Sequence, residues 1–137
     1  PKTHIILGLI FSVLVYFILD LTILNASLIF LASVFIDVDH YLFFIKKKKS
    51  LNLKDAYFWH KGLPKNHKTI MHILHTIEFM ILVFFLSFFW IGFLFILVGM
   101  LFHSALDLGD IFYSKRYAVR EFSLVRYILL RKKGRYL

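Results

Sequence analysis

The sequence predicts an all-α integral membrane protein of four short transmembrane helices arranged as two hairpins, with interfacial helices in the central loop and the C-terminal tail. Three observations lead there. The 137 residues are 60% hydrophobic with a mean hydropathy of +0.75, too apolar for a soluble domain of this size. The apolar residues gather in separate runs, each near or somewhat below the roughly 20 residues that cross a bilayer. The 17 lysines and arginines are confined to the segments between and beyond those runs.

Thr3 is placed to cap a helix that starts near His4. The first apolar run, Ile5 to Leu19, stops at Asp20. A signal peptide has a similar profile, but no small-residue cleavage site precedes the next apolar run, so a permanent helix is expected. Asp20 to Asn25 supplies turn and capping residues, and a second run extends from Ala26 to Asp37. The two runs together exceed one crossing, which predicts a hairpin whose short arms thin the bilayer or cross it only in part. Residues 46–68 form a polar loop in which Tyr57-Phe58-Trp59 marks an interfacial helix. A third helix is expected from Thr69 to about Phe89 and a fourth from about Gly92 to Asp107, joined tightly through Trp90-Ile91-Gly92. Residues 1–110 are thus a membrane domain and residues 111–137 a basic tail. In the tail Phe122, Val125 and Leu129 recur at helical spacing against Arg120, Arg126, Arg131, Lys132 and Lys133, the pattern of an amphipathic surface helix.

Charge sets the orientation. Lysine and arginine number one before the first run, eight in the central loop and eight in the tail, and the two opposite connections carry none. The positive-inside rule then places both termini and the central loop on the cytoplasmic side of an inner or plasma membrane. The formal charge of +9, distributed this way, suits membrane lipids with anionic headgroups and argues against a nucleic-acid partner. The absence of cysteine excludes disulfides, thiolate zinc sites and cysteine nucleophiles. A bundle of four short helices leaves room for a homodimer without specifying its face.

On this topology the chemistry-bearing residues collect at one depth. His4 opens the first helix, His40 closes the second, His72 and His75 begin the third, and His103 lies near the end of the fourth. His72 and His75 are i,i+3, and His103 and Asp107 are i,i+4, so each pair shares a helical face, with Glu78 one turn beyond His75. Asp37 and His40 also share a face, whereas Asp39 points roughly opposite in a regular helix. Either the helix frays there, or one aspartate is a ligand and the other orients a histidine. Ionisable groups beside hydrocarbon are costly unless a cation is shared among them, which predicts a divalent metal site. Imidazole and carboxylate donors without thiolate suit Zn²⁺, Mn²⁺ or Fe²⁺, and the donors suffice for one or two ions. His60 is expected to be an ordinary interfacial histidine, and Asp20 and Asp110 solvated boundary residues.

Thr3-His4 with Gly8, Asp37-Val38-Asp39-His40, His67-Lys68 followed by His72, and His103-Ser104-Ala105-Leu106-Asp107 together resemble the membrane-bound metal-dependent hydrolases typified by a LexA-regulated inner-membrane protein of bacteria. That family's pattern is T-H-x-x-x-G, P-D-x-D-H, H-R-G-x-T-H-S and H-x-x-x-D, and it is likened to zinc-dependent phospholipases C. The resemblance covers residues 3 to 108. It implies that His4, Asp37, Asp39, His40, His67, His72, His103 and Asp107 are the family's polar positions. The chain departs from the pattern at Phe35-Ile36, at Lys68 in place of arginine, and at Ile73 in place of serine, and it adds His75 and Glu78.

The expected function is hydrolysis of a lipid phosphoester or related ester at the cytoplasmic headgroup level. In that reading His4, Asp37, Asp39, His40, His67, His72, His75, His103 and Asp107 are candidate metal ligands. Glu78 or Asp39 is the expected general base, and Lys68 is expected to meet the substrate phosphate. Two other classes compete: a metal-ion binding or transport protein, which requires polar residues through the whole membrane thickness, and a noncatalytic assembly subunit docked through the basic tail.

Overall fold

The computed structural model describes residues 2–64, 68–114 and 120–133. These residues are mostly helical, in the order α1 (Lys2–Ile18), α2 (Ile23–Phe35), α3 (Val38–Lys48), α4 (Leu53–Lys61), α5 (Ile77–Leu86), α6 (Gly92–Ser114) and α7 (Leu124–Leu130). Two short strands, β1 (Ile70–Met71) and β2 (Arg120–Glu121), pair in parallel with Ile70 opposite Arg120 and Met71 opposite Glu121.

The helix starts are capped as their sequences allow. Thr22, Asn52, Thr76 and Ser123 each accept backbone N–H groups from the first turn of α2, α4, α5 and α7 respectively, supplying partners to donors that have none within the helix. At the other end of α3, Lys49 adopts the left-handed conformation (φ 56°) and stops the helix. Lys46, Lys47 and Lys48 occupy its last turn, where positive charge is favoured by the helix dipole.

The long α6 is the element on which the rest is assembled, and α2 is its principal partner. Gly99 permits this: a Cβ there would collide with the carbonyl of Ile29 and press on Ala32. Gly8 plays the same part between α1 and α2, where a Cβ would collide with Ser33 Oγ. Phe11 of α1 stacks on Phe102 of α6 at 4.0 Å. The core proper is small, consisting of Ile36, Val83, Leu97 and Met100 with Ala32, Leu74, Phe79, Met80, Phe93 and Ile96 against it. Much of the remaining apolar surface faces outward, including Phe17, Ile18, Ile23, Phe88 and Phe89.

Two helices are long and apolar enough to cross a membrane: Ile23–Lys48, comprising α2 and α3, and Gly92–Ser114. The shorter apolar helices Thr3–Ile18 and Ile77–Leu86 accompany them. The fourth predicted helix runs past its expected end at Asp107 as far as Ser114.

The third predicted helix starts later than its apolar pattern suggests. The chain from Thr69 is first extended in β1 and then makes a 3-10 turn at Ile73–His75. Only at Thr76, itself extended (φ −83°, ψ 149°), does α5 begin. The tail contains the short helix α7, which begins after Phe122 and leaves Val125, Ile128 and Leu129 exposed. Its start is tied back by the Ile77 N–H donating to the Phe122 carbonyl at 2.9 Å.

Candidate metal centre

The break between α2 and α3 shapes the centre. Asp37 N–H bonds to the Val34 carbonyl (3.4 Å) and His40 N–H to the Asp37 carbonyl (3.1 Å), so the chain tightens locally to i,i+3 bonding. A tighter turn advances each residue by more than the α-helical 100°. This rotates Asp39 inward, where it is buried, instead of leaving it on the opposite face from Asp37. The 3-10 turn has a similar effect on His72 and His75. They are not on a regular helix as expected, but at three residues per turn positions i and i+3 eclipse, and both rings are buried.

Two histidines are oriented through contacts at Nδ1. His103 Nδ1–H donates to the Ser33 carbonyl at 2.7 Å, a contact made possible by the close α2–α6 approach at Gly99. His75 Nδ1–H donates to Asp39 Oδ2 at 3.2 Å, and Asp39 Oδ2 also accepts the Leu74 N–H at 3.0 Å. With Nδ1 holding the proton in each neutral ring, Nε2 carries the free lone pair. Both Nε2 atoms are buried and without a hydrogen-bond partner.

Those lone pairs meet carboxylate oxygens. His103 Nε2 lies 3.3 Å from Asp37 Oδ1 and 3.2 Å from Asp107 Oδ2. His75 Nε2 lies 3.8 Å from Asp37 Oδ1 and 3.6 Å from Asp107 Oδ2. His4 Nε2, also buried and unpartnered, is 3.2 Å from Asp107 Oδ1, and His40 Nε2 is 3.5 Å from Asp37 Oδ1. Nitrogen and oxygen ligands about 2.0–2.2 Å from a tetrahedral ion stand about 3.3–3.6 Å from one another. The observed separations bracket that range.

Among the described residues, three sets have donor atoms close enough to share an ion: His4, His103 and Asp107; Asp37, His75 and His103; and Asp39, His40 and His75. The first two overlap at His103, and the third joins at His75. This buried histidine and aspartate cluster fits a metal ion, with Asp39 and Ser33 as the outer partners that set ring orientation. His72 Nδ1 faces Asp39 Oδ1 at 3.6 Å, both atoms buried and unpartnered. Burial, opposed by Asp39 and reinforced by the nearby Arg120 guanidinium and the His75 and His60 rings, holds the His72 imidazole down at about 3.

Other expected residues are placed elsewhere. Glu78 does not join the cluster: its carboxylate accepts Ser123 Oγ–H at 2.7 Å, Leu124 N–H at 2.9 Å and Val125 N–H at 3.2 Å. It is a cap for α7 rather than a base. Asp39, by contrast, stays with the cluster: Oδ2 is committed to His75 and Leu74, and Oδ1 is buried and without a hydrogen-bond partner. His67 lies outside the described residues. Lys68 is exposed, and the cations lining the adjoining cavity are Lys61 and Arg120. His60 donates to the His40 carbonyl at 2.9 Å, the hydrogen-bonded role expected of it. Asp20 and Asp110 are exposed.

Arg120 joins the cluster although the sequence pattern places it on the polar face of a tail helix. One guanidinium nitrogen contacts Asp107, and the other donates to His40 Nε2 at 3.1 Å. Its one sequence signal is its neighbour Glu121, the only acidic residue between 111 and 137. Above the cluster opens a cavity of about 520 Å³, with His4, Asp37, His40 and Asp107 at its floor and Tyr41 and Tyr57 on its wall.

The chain matches no family model, no curated protein and no solved structure.

Proposed function

We propose that this protein is a multi-pass membrane enzyme, a metal-dependent hydrolase acting on a phosphoester or related ester of a lipid at the cytoplasmic headgroup level. The observation that carries this reading is the pair of buried, unpartnered Nε2 atoms of His75 and His103, each facing both Asp37 and Asp107. Uncompensated polar atoms at such depth cost about 1–3 kcal/mol each, and a divalent cation offsets all of them at once. The order of the four sequence motifs, which resembles that of the membrane-bound hydrolases described above, supports the same reading.

In this reading α1, α2–α3, α5 and α6 form two hairpins, with the lysine- and arginine-rich segments cytoplasmic. His4, His75, His103, Asp37 and Asp107 hold the metal, with His40 and His72 adjoining. Zinc suits the mixed nitrogen and oxygen donors, as do manganese and iron. When bound, the ion supplies Lewis acidity and a water acidic enough to lose its proton near neutral pH. Asp37, whose side chain is 36% exposed and lines the cavity, would hold the ion from the cavity side. Asp39 keeps the His75 ring in register. The cavity has a polar floor and an aromatic wall, so an ester placed on the floor would keep its apolar part against Tyr41 and Tyr57.

The test is hydrolysis by detergent-purified, metal-loaded protein of a panel of phospholipids and isoprenoid phosphates, with His103→Ala as the control. Metal-dependent release of product that His103→Ala abolishes supports the reading. Full metal loading with no turnover of any substrate in the panel contradicts it.

A further inference from the structure

Arg120 is held over the metal cluster by contacts that the cluster itself does not supply. Its backbone lies in β2, paired with β1. The carboxylate of the neighbouring Glu121, buried, accepts the N–H groups of Phe122 and Ser123 at 3.1 and 3.2 Å. Beyond it the start of α7 is fastened to Glu78 through Ser123, Leu124 and Val125, and Ile77 N–H donates to the Phe122 carbonyl. The tail is therefore paired with β1 at Arg120 and stitched to the start of α5 just beyond it, and the guanidinium, 12% exposed, lines the cavity.

That placement leaves part of the guanidinium for a ligand in the cavity. A guanidinium is permanently charged, and here it leans on Asp107 and on the lone pair of His40. Asp107 is also a donor to the metal set. Asp37, Asp39 and Asp107 together offset a divalent ion and the guanidinium, and Arg120, which lines the cavity, uses only two of its five N–H donors on Asp107 and His40. The remaining donors and the ion can share the oxygens of one oxyanion, and the planar fork of arginine suits phosphate oxygens in pairs.

We infer that Arg120 is the substrate-selecting residue of this site, clamping a phosphate-type oxyanion between its guanidinium and the metal. The inference rests on the metal-hydrolase reading for what the oxyanion belongs to. It replaces Lys68 as the residue that meets the phosphate, and it gives the Glu78 cap and the Glu121 turn a purpose as positioning residues. The aromatic wall beside Arg120 distinguishes two sources of the same chemistry: a lipid phosphate would use it, and free phosphate would not.

The experiment is binding of inorganic phosphate and of short-chain phosphatidic acid to Mn²⁺-loaded protein in detergent, read from paramagnetic broadening of the ³¹P resonances. Manganese affinity is measured alongside. Wild-type protein should broaden both ligands saturably. Arg120→Met should weaken both by about 10- to 100-fold, the range for losing charge-assisted hydrogen bonds, with manganese affinity equal or higher. Arg120→Lys should recover part of the loss, and Lys68→Met should lose nothing. Phosphatidic acid binding more tightly than phosphate assigns the lipid source, and equal affinities assign free phosphate. Undiminished phosphate binding in metal-loaded Arg120→Met overturns the inference. Arg120-dependent phosphate binding with no hydrolysis of any ester by the wild type overturns the enzyme reading and leaves the anion clamp standing.

Discussion

Asp39 separates an orienting carboxylate from a ligand, and Asp39→Asn tests which it is. The side chain is buried, with Oδ2 shared between the His75 Nδ1–H at 3.2 Å and the Leu74 N–H at 3.0 Å. An asparagine oxygen in the same place still accepts both hydrogen bonds, so the turn at 73–75 should hold and stability should fall by no more than about 1 kcal/mol. What is lost is the negative charge behind His75, which makes its Nε2 a stronger donor. Removal of such outer partners costs about 10- to 100-fold in metal affinity. Loss of a direct ligand should cost much more, as His75→Ala would show. Zinc affinity is measured by competition with a chromophoric chelator on detergent-purified protein, with thermal unfolding in parallel. Asp39→Ala adds a second signature, because it strands the Leu74 N–H and should cost a further 1–3 kcal/mol or so of stability. Asp39→Asn with unchanged affinity, or with affinity as low as His75→Ala, refutes the assignment.

Three further outcomes follow from the packing. Glu78→Ala should release the start of α7 and lower stability by about 0.5–2 kcal/mol, the usual effect of losing a cap, while zinc affinity stays within about twofold. A loss of metal as large as that of His103→Ala would return Glu78 to the ligand set. Gly99→Val forces α2 and α6 apart, because its Cβ meets the Ile29 carbonyl, and the His103–Ser33 bond should go with that displacement. Unfolding measurements should show a loss of about 1–3 kcal/mol for such overpacking, with metal affinity falling in parallel. Ser33→Ala should leave metal binding nearly unchanged, since His103 bonds the Ser33 carbonyl and not its hydroxyl. A large loss would mean that the side chain supports the site in some other way.

Much of the site could be read from the sequence because the motifs are local. Histidines and aspartates at the ends of apolar runs are the groups the pattern brings to one depth, and His4, Asp37, His40, His75, His103 and Asp107 do meet. The misplacements have a common origin. Helical periodicity was extended through 69–76, where the chain is extended and then turns tightly, and this put Glu78 on the face of His75. In the structure Thr76 resets the register, and Glu78 emerges beneath α7. The role of Asp39 turned on one tightened turn at Asp37, which an assumption of uniform 100° steps cannot express. Arg120 was hidden for a different reason. It is brought home by a strand pair between residues about fifty positions apart and by a cap from a distant helix, and neither leaves a periodic trace in the tail.

The account stands on a divalent cation held jointly by His75, His103, Asp37 and Asp107. X-ray absorption of protein purified without chelator, combined with elemental analysis, tests this most directly. The expected result is one or two first-row divalent ions per chain in a nitrogen and oxygen shell at about 2.0–2.2 Å, with the signal lost in the His75→Ala, His103→Ala double variant while the protein remains in the membrane. Wild-type protein that acquires no stoichiometric metal, or a double variant that keeps it in the same shell, would contradict the claim.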